Sequence, residues 1–166
     1  MMERKMKTSL RTQGGVMLLE ALIGLLIFSV GILAMVGMQA TAFSASADAK
    51  NRAEAAAFAN DIISRIWMSV DRTSDASIIS SLNSFQLNSS GTDCAFTGGQ
   101  ADGANTILTQ WVSDVTDTSN GLLGATAAMQ QIAVATASMN RVTVTVCWQT
   151  PQDLRPRKHQ VITYVY

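Results

Sequence analysis

Histidine occurs once, at His159, and cysteine twice, at Cys94 and Cys147. Neither cysteine has a Cys or His neighbour at metal-ligand spacing, which argues against a zinc knuckle. A phosphate-binding glycine loop and a dinucleotide fingerprint are also missing. No Ser/His/Asp, Cys/His or paired-carboxylate arrangement emerges, and the lone histidine follows Arg155, Arg157 and Lys158. His159 therefore reads as a surface residue, and the basic stretch as a solvated loop that could at most meet an acidic partner. Asp114 and Asp117, three apart on an expected helix, read as a solvated face. No catalytic residue, metal or cofactor is expected, and the chain is not expected to be an enzyme.

Net charge is also lacking: 12 basic and 12 acidic side chains cancel. The balance is uneven along the chain. Residues 1–15 carry Arg4, Lys5, Lys7 and Arg11 against Glu3 alone, so the remainder is net acidic. An acidic body without a basic cluster of any size argues against nucleic acid as a partner.

What is present begins with a long apolar run. Residues 16–38 (VMLLEALIGLLIFSVGILAMVGM) contain one charge, Glu20. As a helix this run spans about 34 Å, the thickness of a bilayer's hydrocarbon core. Basic residues precede it, which keeps the N-terminus cytoplasmic. Residues 39–69 contain no Pro and no Gly and are rich in Ala. Asp48/Arg52, Lys50/Glu54 and Asp61/Arg65 are opposite charges at i,i+4. Phe58, Ile62, Ile66 and Val70 form an apolar stripe, with Ile63 and Trp67 beside it. One helix is expected from about 16 to about 70, roughly 80 Å long. It is apolar all round in its first part (16–42) and amphipathic in its continuation (43–70). Ser29, Gly31 and Gly37 are candidate weak points in it.

The remaining residues, 71–166, read as one small head. Residues 71–105 are rich in Ser, Asn, Gly, Thr and Asp and read as a long connecting loop carrying Cys94, with short helical turns around 75–87. Their apolar content looks too low for the segment to anchor itself. Residues 106–117 place Ile107, Leu108, Trp111, Val112 and Val115 at helical spacing. Strands are expected over 130–136, 141–148 and 159–166, joined by a turn at 138–140 and a loop bracketed by Pro151 and Pro156. Short connections between neighbours imply an antiparallel meander packed on the second part of the long helix. The fold class is α+β.

The junction Gly14-Gly15-Val16-Met17-Leu18-Leu19-Glu20 resembles the class III signal of type IV prepilins and type II secretion pseudopilins. In those families a membrane-embedded prepilin peptidase cuts after the Gly and methylates the new N-terminal amine. The resemblance implies removal of the leader 1–15, a cut between Gly15 and Val16, and Glu20 as the fifth mature residue. The usual first mature residue is Phe, and Val16 departs from that. In a pilin the acid at the fifth position is matched by the N-terminal ammonium of a neighbouring subunit and sets axial register. The segment from Val30 to Gln39, the Ala-rich run to Arg65, Trp111 in a helix, and Cys147-Trp148 in a Val/Thr strand resemble the minor-pilin family of type IV pilus modification proteins.

That resemblance implies the type IV pilin fold and a minor subunit at or near the tip of a type IV pilus, helping to initiate assembly. Its partners would be the prepilin peptidase, the other minor pilins and the major pilin, with a large tip adhesin as a further candidate. The chain would sit in the inner membrane before assembly and on the pilus surface afterwards. A minor pseudopilin of a type II secretion system is the alternative within the class. A tethered periplasmic enzyme or binding domain is the alternative outside it. So is a secreted domain cut after Ala45-Ser46-Ala47, although the apolar run is longer than a signal-peptide core.

Two thiols in a cytosolic protein would be inert core residues; in an exported one they form a structural bridge. With export implied, Cys94 and Cys147 are expected to be bonded. On the strand 141–148, Val142, Val144, Val146 and Trp148 share one face by the two-residue period and should pack on the long helix. Cys147 falls with Thr143 and Thr145 on the other face, so the bridge should pin the Cys94 loop there or to the sheet edge.

Overall fold

A computed structural model describes residues 14–100 and 105–166. The expected leader 1–15 lies outside the described residues except for Gly14 and Gly15. The architecture is α+β, a long N-terminal helix followed by a small antiparallel sheet and shorter helices, consistent with a pilin-like fold. Helix α1 is Gly14–Ser69. Two compact units divide the chain, one ending at Ser46 and the other formed by Ala47–Tyr166.

In the first unit the helix keeps its apolar side chains in the open. From Val16 to Phe43 every large apolar residue is exposed, from 46% at Ile32 to 76% at Met17 and Phe43. The helix continues through Ser29, Gly31 and Gly37 without a break. The hydroxyls of Ser29 and Thr41 donate back to the carbonyls of Leu25 and Met38, at 2.7 and 2.8 Å. Each polar group is thereby satisfied within the helix, as an apolar environment requires.

The second unit is built around the meander. Strands Gln130–Ala135, Arg141–Trp148 and Arg157–Tyr164 (named β3, β4 and β5 in chain order) pair antiparallel in the order β3-β4-β5. The face of β4 carrying Val142, Val144, Val146 and Trp148 is buried against Ala55, Ala59, Ile62, Ile66 and Val70 of the helix side. The buried stripe of the helix thus begins with Ala55 and Ala59 and continues through Ile62 and Ile66, and Phe58 sits half-buried beside it. The third strand begins at Arg157, two residues earlier than its alternation suggests, because Arg157 pairs with Trp148 at the end of β4.

The stretch 71–100 differs most from its sequence reading. Helix α2 (Asp75–Asn83) starts on Ser74, whose side chain accepts from the Ser77 N–H at 3.1 Å. Ile78, Leu82, Phe85 and Leu87 are all buried in the main core, so this segment does anchor itself. Leu87 exchanges both main-chain hydrogen bonds with Ile132, each 3.0 Å, covering the outer edge of β3. A two-stranded hairpin follows, β1 (Ser90–Thr92) with β2 (Ala95–Thr97). Its turn is Asp93-Cys94, with φ of 53° and 65°. Both residues are left-handed, the geometry that a two-residue hairpin turn of matched twist requires.

Helix α3 (Thr106–Thr116) is capped by Asn105, which accepts from the Leu108 N–H at 3.1 Å. Leu108, Trp111 and Val115 of α3 are fully buried. Asp117 has left the helix: its carboxylate accepts from the Asn120 and Ser119 N–H groups at 2.7 and 2.8 Å. Those bonds hold its pKa below the usual carboxylate range. Asp114 accepts from Gln110 and lies 3.7 Å from Arg65, which also bonds Asp61 at 2.9 Å. The two acids therefore do not share one solvated helix face. Gly124, at φ 75°, lies against the Gln149 carbonyl oxygen, where a Cβ would collide.

Candidate functional site

The site residues read from the sequence fall in two places. Gly15, Val16 and Glu20 lie at the start of the described helix. Val16 is 67% exposed, and a side chain at Gly15 would meet nothing within 4 Å. Glu20 is exposed on the same helix and makes no ion pair among the described residues. A helical acid in an otherwise uncharged apolar run, with no ion-pair partner among the described residues, is costly in a bilayer, by about 2.5–3.5 kcal/mol on insertion scales. Length and composition make this stretch suitable as a single-pass membrane anchor.

The cysteines lie in the second unit and are bonded to each other, with Cα atoms 5.9 Å apart. Cys147 is fully buried on the face of β4 opposite the main core, and Cys94, Phe96 and Met129 complete a small second cluster there. The bridge thus pins the β1–β2 hairpin to that face. Gln130, itself fully buried, clamps the Cys147 main chain. Its Nε2 donates to the Cys147 carbonyl at 3.0 Å and its Oε1 accepts from the Cys147 N–H at 3.3 Å. Asn88, at φ 45°, donates to the carbonyls of Gln130 and Ala127 and accepts from the Gly99 N–H. Neither amide stands out in the sequence, because an isolated Gln or Asn carries no spacing signal.

The basic stretch is not a solvated loop. Residues 157–159 belong to β5, and Arg157 is ion-paired on two sides. Its Nη1 lies 2.6 Å from Asp48 and its Nη2 2.7 Å from Asp153. Asp48 is therefore taken up by a strand 109 residues away and not by Arg52 one turn along the helix. Asp153 also accepts from the Thr150 hydroxyl at 2.8 Å. That hydroxyl first, and the Arg157 guanidinium second, hold the Asp153 carboxyl below the usual range. His159 is half-buried in β5, and no group of three or more His, Cys, Asp or Glu among the described residues could hold a metal ion.

No family, no curated protein and no solved structure matches this chain. The functional reading therefore rests on its own residues and their geometry.

Proposed function

We propose that this chain is a minor pilin, incorporated at or near the tip of a type IV pilus and helping to start its assembly. One observation carries the reading. A single acid, Glu20, stands five residues after Gly15 in a helical stretch, 16–43, that is otherwise uncharged and whose large apolar side chains are all exposed. An exposed apolar helix needs either lipid or its own kind around it. A helix that moves from bilayer to filament core meets both needs in turn. The lone acid gives it register, because an N-terminal ammonium from a neighbouring subunit neutralises the carboxylate only at one axial offset. The head, tied by Cys94–Cys147, supports the same reading, since structural bridges persist in compartments outside the cytoplasm.

Processing tests this directly. Intact-mass measurement of the membrane-bound or filament-bound protein should show loss of residues 1–15, with one methyl group on the Val16 amine. Gly15→Trp should leave the leader attached. Persistence of the full chain in wild-type cells with an active prepilin peptidase would overturn the reading.

Glu20→Ala separates insertion from assembly. Removing the charge should leave membrane insertion intact or improved. Recovery in sheared filaments should fall by about tenfold or more, the consequence of losing one desolvated charge pair. Unchanged co-assembly with the other pilins would assign Glu20 no role in register.

A further inference from the structure

The two edges of the main sheet differ. Leu87 bonds Ile132 in both directions and covers the β3 edge. The β5 edge has no such cover among the described residues. The register shows which of its groups are left over. The Val165 N–H donates to the Asn140 carbonyl at 3.2 Å, one pair beyond the strand ends. Bonded pairs recur at every second residue of an antiparallel ladder, so Arg157, His159, Val161 and Thr163 bond β4. The Cys147 N–H, turned the other way to Gln130 of β3, agrees with that alternation. Lys158, Gln160, Ile162 and Tyr164 therefore turn their main-chain N–H and C=O groups outward, and none of these groups has a hydrogen-bond partner among the described residues.

The side chains agree that this edge is open. On the core face, Val142, Val144, Val146 and Trp148 of β4 are buried, while Thr163, Val161, His159 and Arg157 opposite them are only half-buried. On the other face Ile162 is 52% and Tyr164 37% exposed. Long open edges are normally blunted by proline, a bulge, charge or a covering segment. β5 is eight residues long, contains no proline, and pairs with β4 without a bulge. Charge is present only at its start. Arg157 is already taken by Asp48 and Asp153, whereas Lys158, and Arg155 just before the strand, are exposed and make no ion pair among the described residues. The edge thus runs from a basic end to an apolar one, with its main chain unused throughout.

We propose that β5 is a docking edge at which a partner protein adds one extended strand to the sheet. A row of alternating main-chain donors and acceptors is complementary to another extended main chain. Side chains then select the segment. Residues directly opposite each other share a face, so an antiparallel partner meets Tyr164 and Ile162 first and Lys158 last. The matching segment carries apolar β-branched residues at alternate positions in its first half and an acidic residue at its end. A second copy of this chain matches poorly. Paired antiparallel along the whole strand, it sets Lys158 against Tyr164 and Gln160 against Ile162; paired parallel, it brings the basic ends together. The open edge is present whether or not the chain enters a filament.

The test uses the full chain in a non-ionic detergent micelle, isotopically labelled, with amide hydrogen exchange read residue by residue. The probe is acetyl-Val-Thr-Val-Thr-Thr-Thr-Glu-amide, whose alternate residues face Tyr164, Ile162, Gln160 and Lys158 in turn. The expected result is a saturable slowing of exchange, about tenfold or more, at the amides of Gln160 and Ile162. Val161 and Thr163, already bonded to β4, should change less. The same peptide N-methylated at its third and fifth residues keeps every side chain but loses two donors, and should produce no slowing. Lys in place of the peptide's Glu should weaken binding about threefold. Gln160→Pro removes an outward N–H that β4 does not use, so protection by the peptide should be lost while the amides of β3 and β4 exchange as in wild type. No slowing, equal slowing by the N-methylated peptide, or equal binding of the Lys peptide overturns the proposal. Slowing that rises with protein concentration in the absence of peptide also overturns it, and assigns the edge to a second copy.

Discussion

Trp111→Ala is expected to lower the unfolding free energy of the head by about 3–5 kcal/mol, the range for deleting a buried aromatic. Trp111 has no exposed surface and is the largest side chain of α3. It lies in the same core as Ala55, Ala59 and Ile62, so its removal opens a void between α3 and the helix side that backbone on both sides prevents from closing. The indole also donates to the Phe58 carbonyl at 2.9 Å. Phe58 lies inside α1, where a carbonyl already accepts a helical hydrogen bond, so losing the indole leaves no unsatisfied acceptor there. The packing term therefore dominates, and Trp111→Phe should cost less, about 1–2 kcal/mol. Denaturant unfolding of the full chain in detergent, followed by near-ultraviolet circular dichroism, distinguishes the two variants. With domains stable by only about 5–15 kcal/mol, the alanine variant should sit close to its unfolding midpoint at moderate denaturant. Equal losses in the two variants would show that the hydrogen bond, and not the packing, secures α3.

Much of this core is legible in the sequence because it is periodic. The alternation of Val142, Val144, Val146 and Trp148 fixes both the strand and its buried face. The helical spacing of Leu108, Trp111 and Val115 fixes α3 and its inward side. The long helix is legible because Pro and Gly are missing over 39–69 and charge is missing over 16–38 apart from Glu20. Other features fail for identifiable reasons. The β1–β2 hairpin has three residues per strand, drawn mostly from Ser, Gly and Thr, and its left-handed turn is Asp-Cys where Asn-Gly or Asp-Gly would announce it. Residues 71–100 look polar as a block, yet Ile78, Leu82, Phe85 and Leu87 turn inward while Ile79 stays exposed. The burial of Ala55 and Ala59 in preference to Phe58 depends on which side of the helix the sheet and α3 cover, which no single-helix pattern contains. The Asp48–Arg157 pair joins residues far apart in sequence. The processing junction and Glu20 are the reverse case: their signal is local and dense, and it lies almost wholly in the sequence.

Cys147→Ser should destabilise the head by about 4 kcal/mol, the loop-entropy value for a bridge closing 53 residues, with any strain in the folded state subtracting from it. The loss has a local as well as a global part. The β1–β2 hairpin is two three-residue strands, which is too little pairing to persist alone in water. Its ties to the sheet are the bridge, the Phe96 side chain beneath it and the amide of Asn88. Cys94 sits at φ 65°, a left-handed conformation that a non-glycine residue adopts reluctantly and that the two-residue turn requires. Without the bond, the segment from 89 to 100 should become the first site of protease cleavage, while β4 remains held by β3, β5 and the clamp of Gln130 on its main chain. Cys147→Ser carries a further cost that Cys94→Ala does not, because it places a hydroxyl at a position with no exposed surface beside Phe96 and Met129. The expected order of melting is therefore wild type, then Cys94→Ala, then Cys147→Ser. Proteolysis of both variants under native conditions should give the same early cut. Melting and protease resistance equal to wild type in Cys147→Ser, or free thiols detected by alkylation of the native exported protein, would show that the bridge does not secure the hairpin.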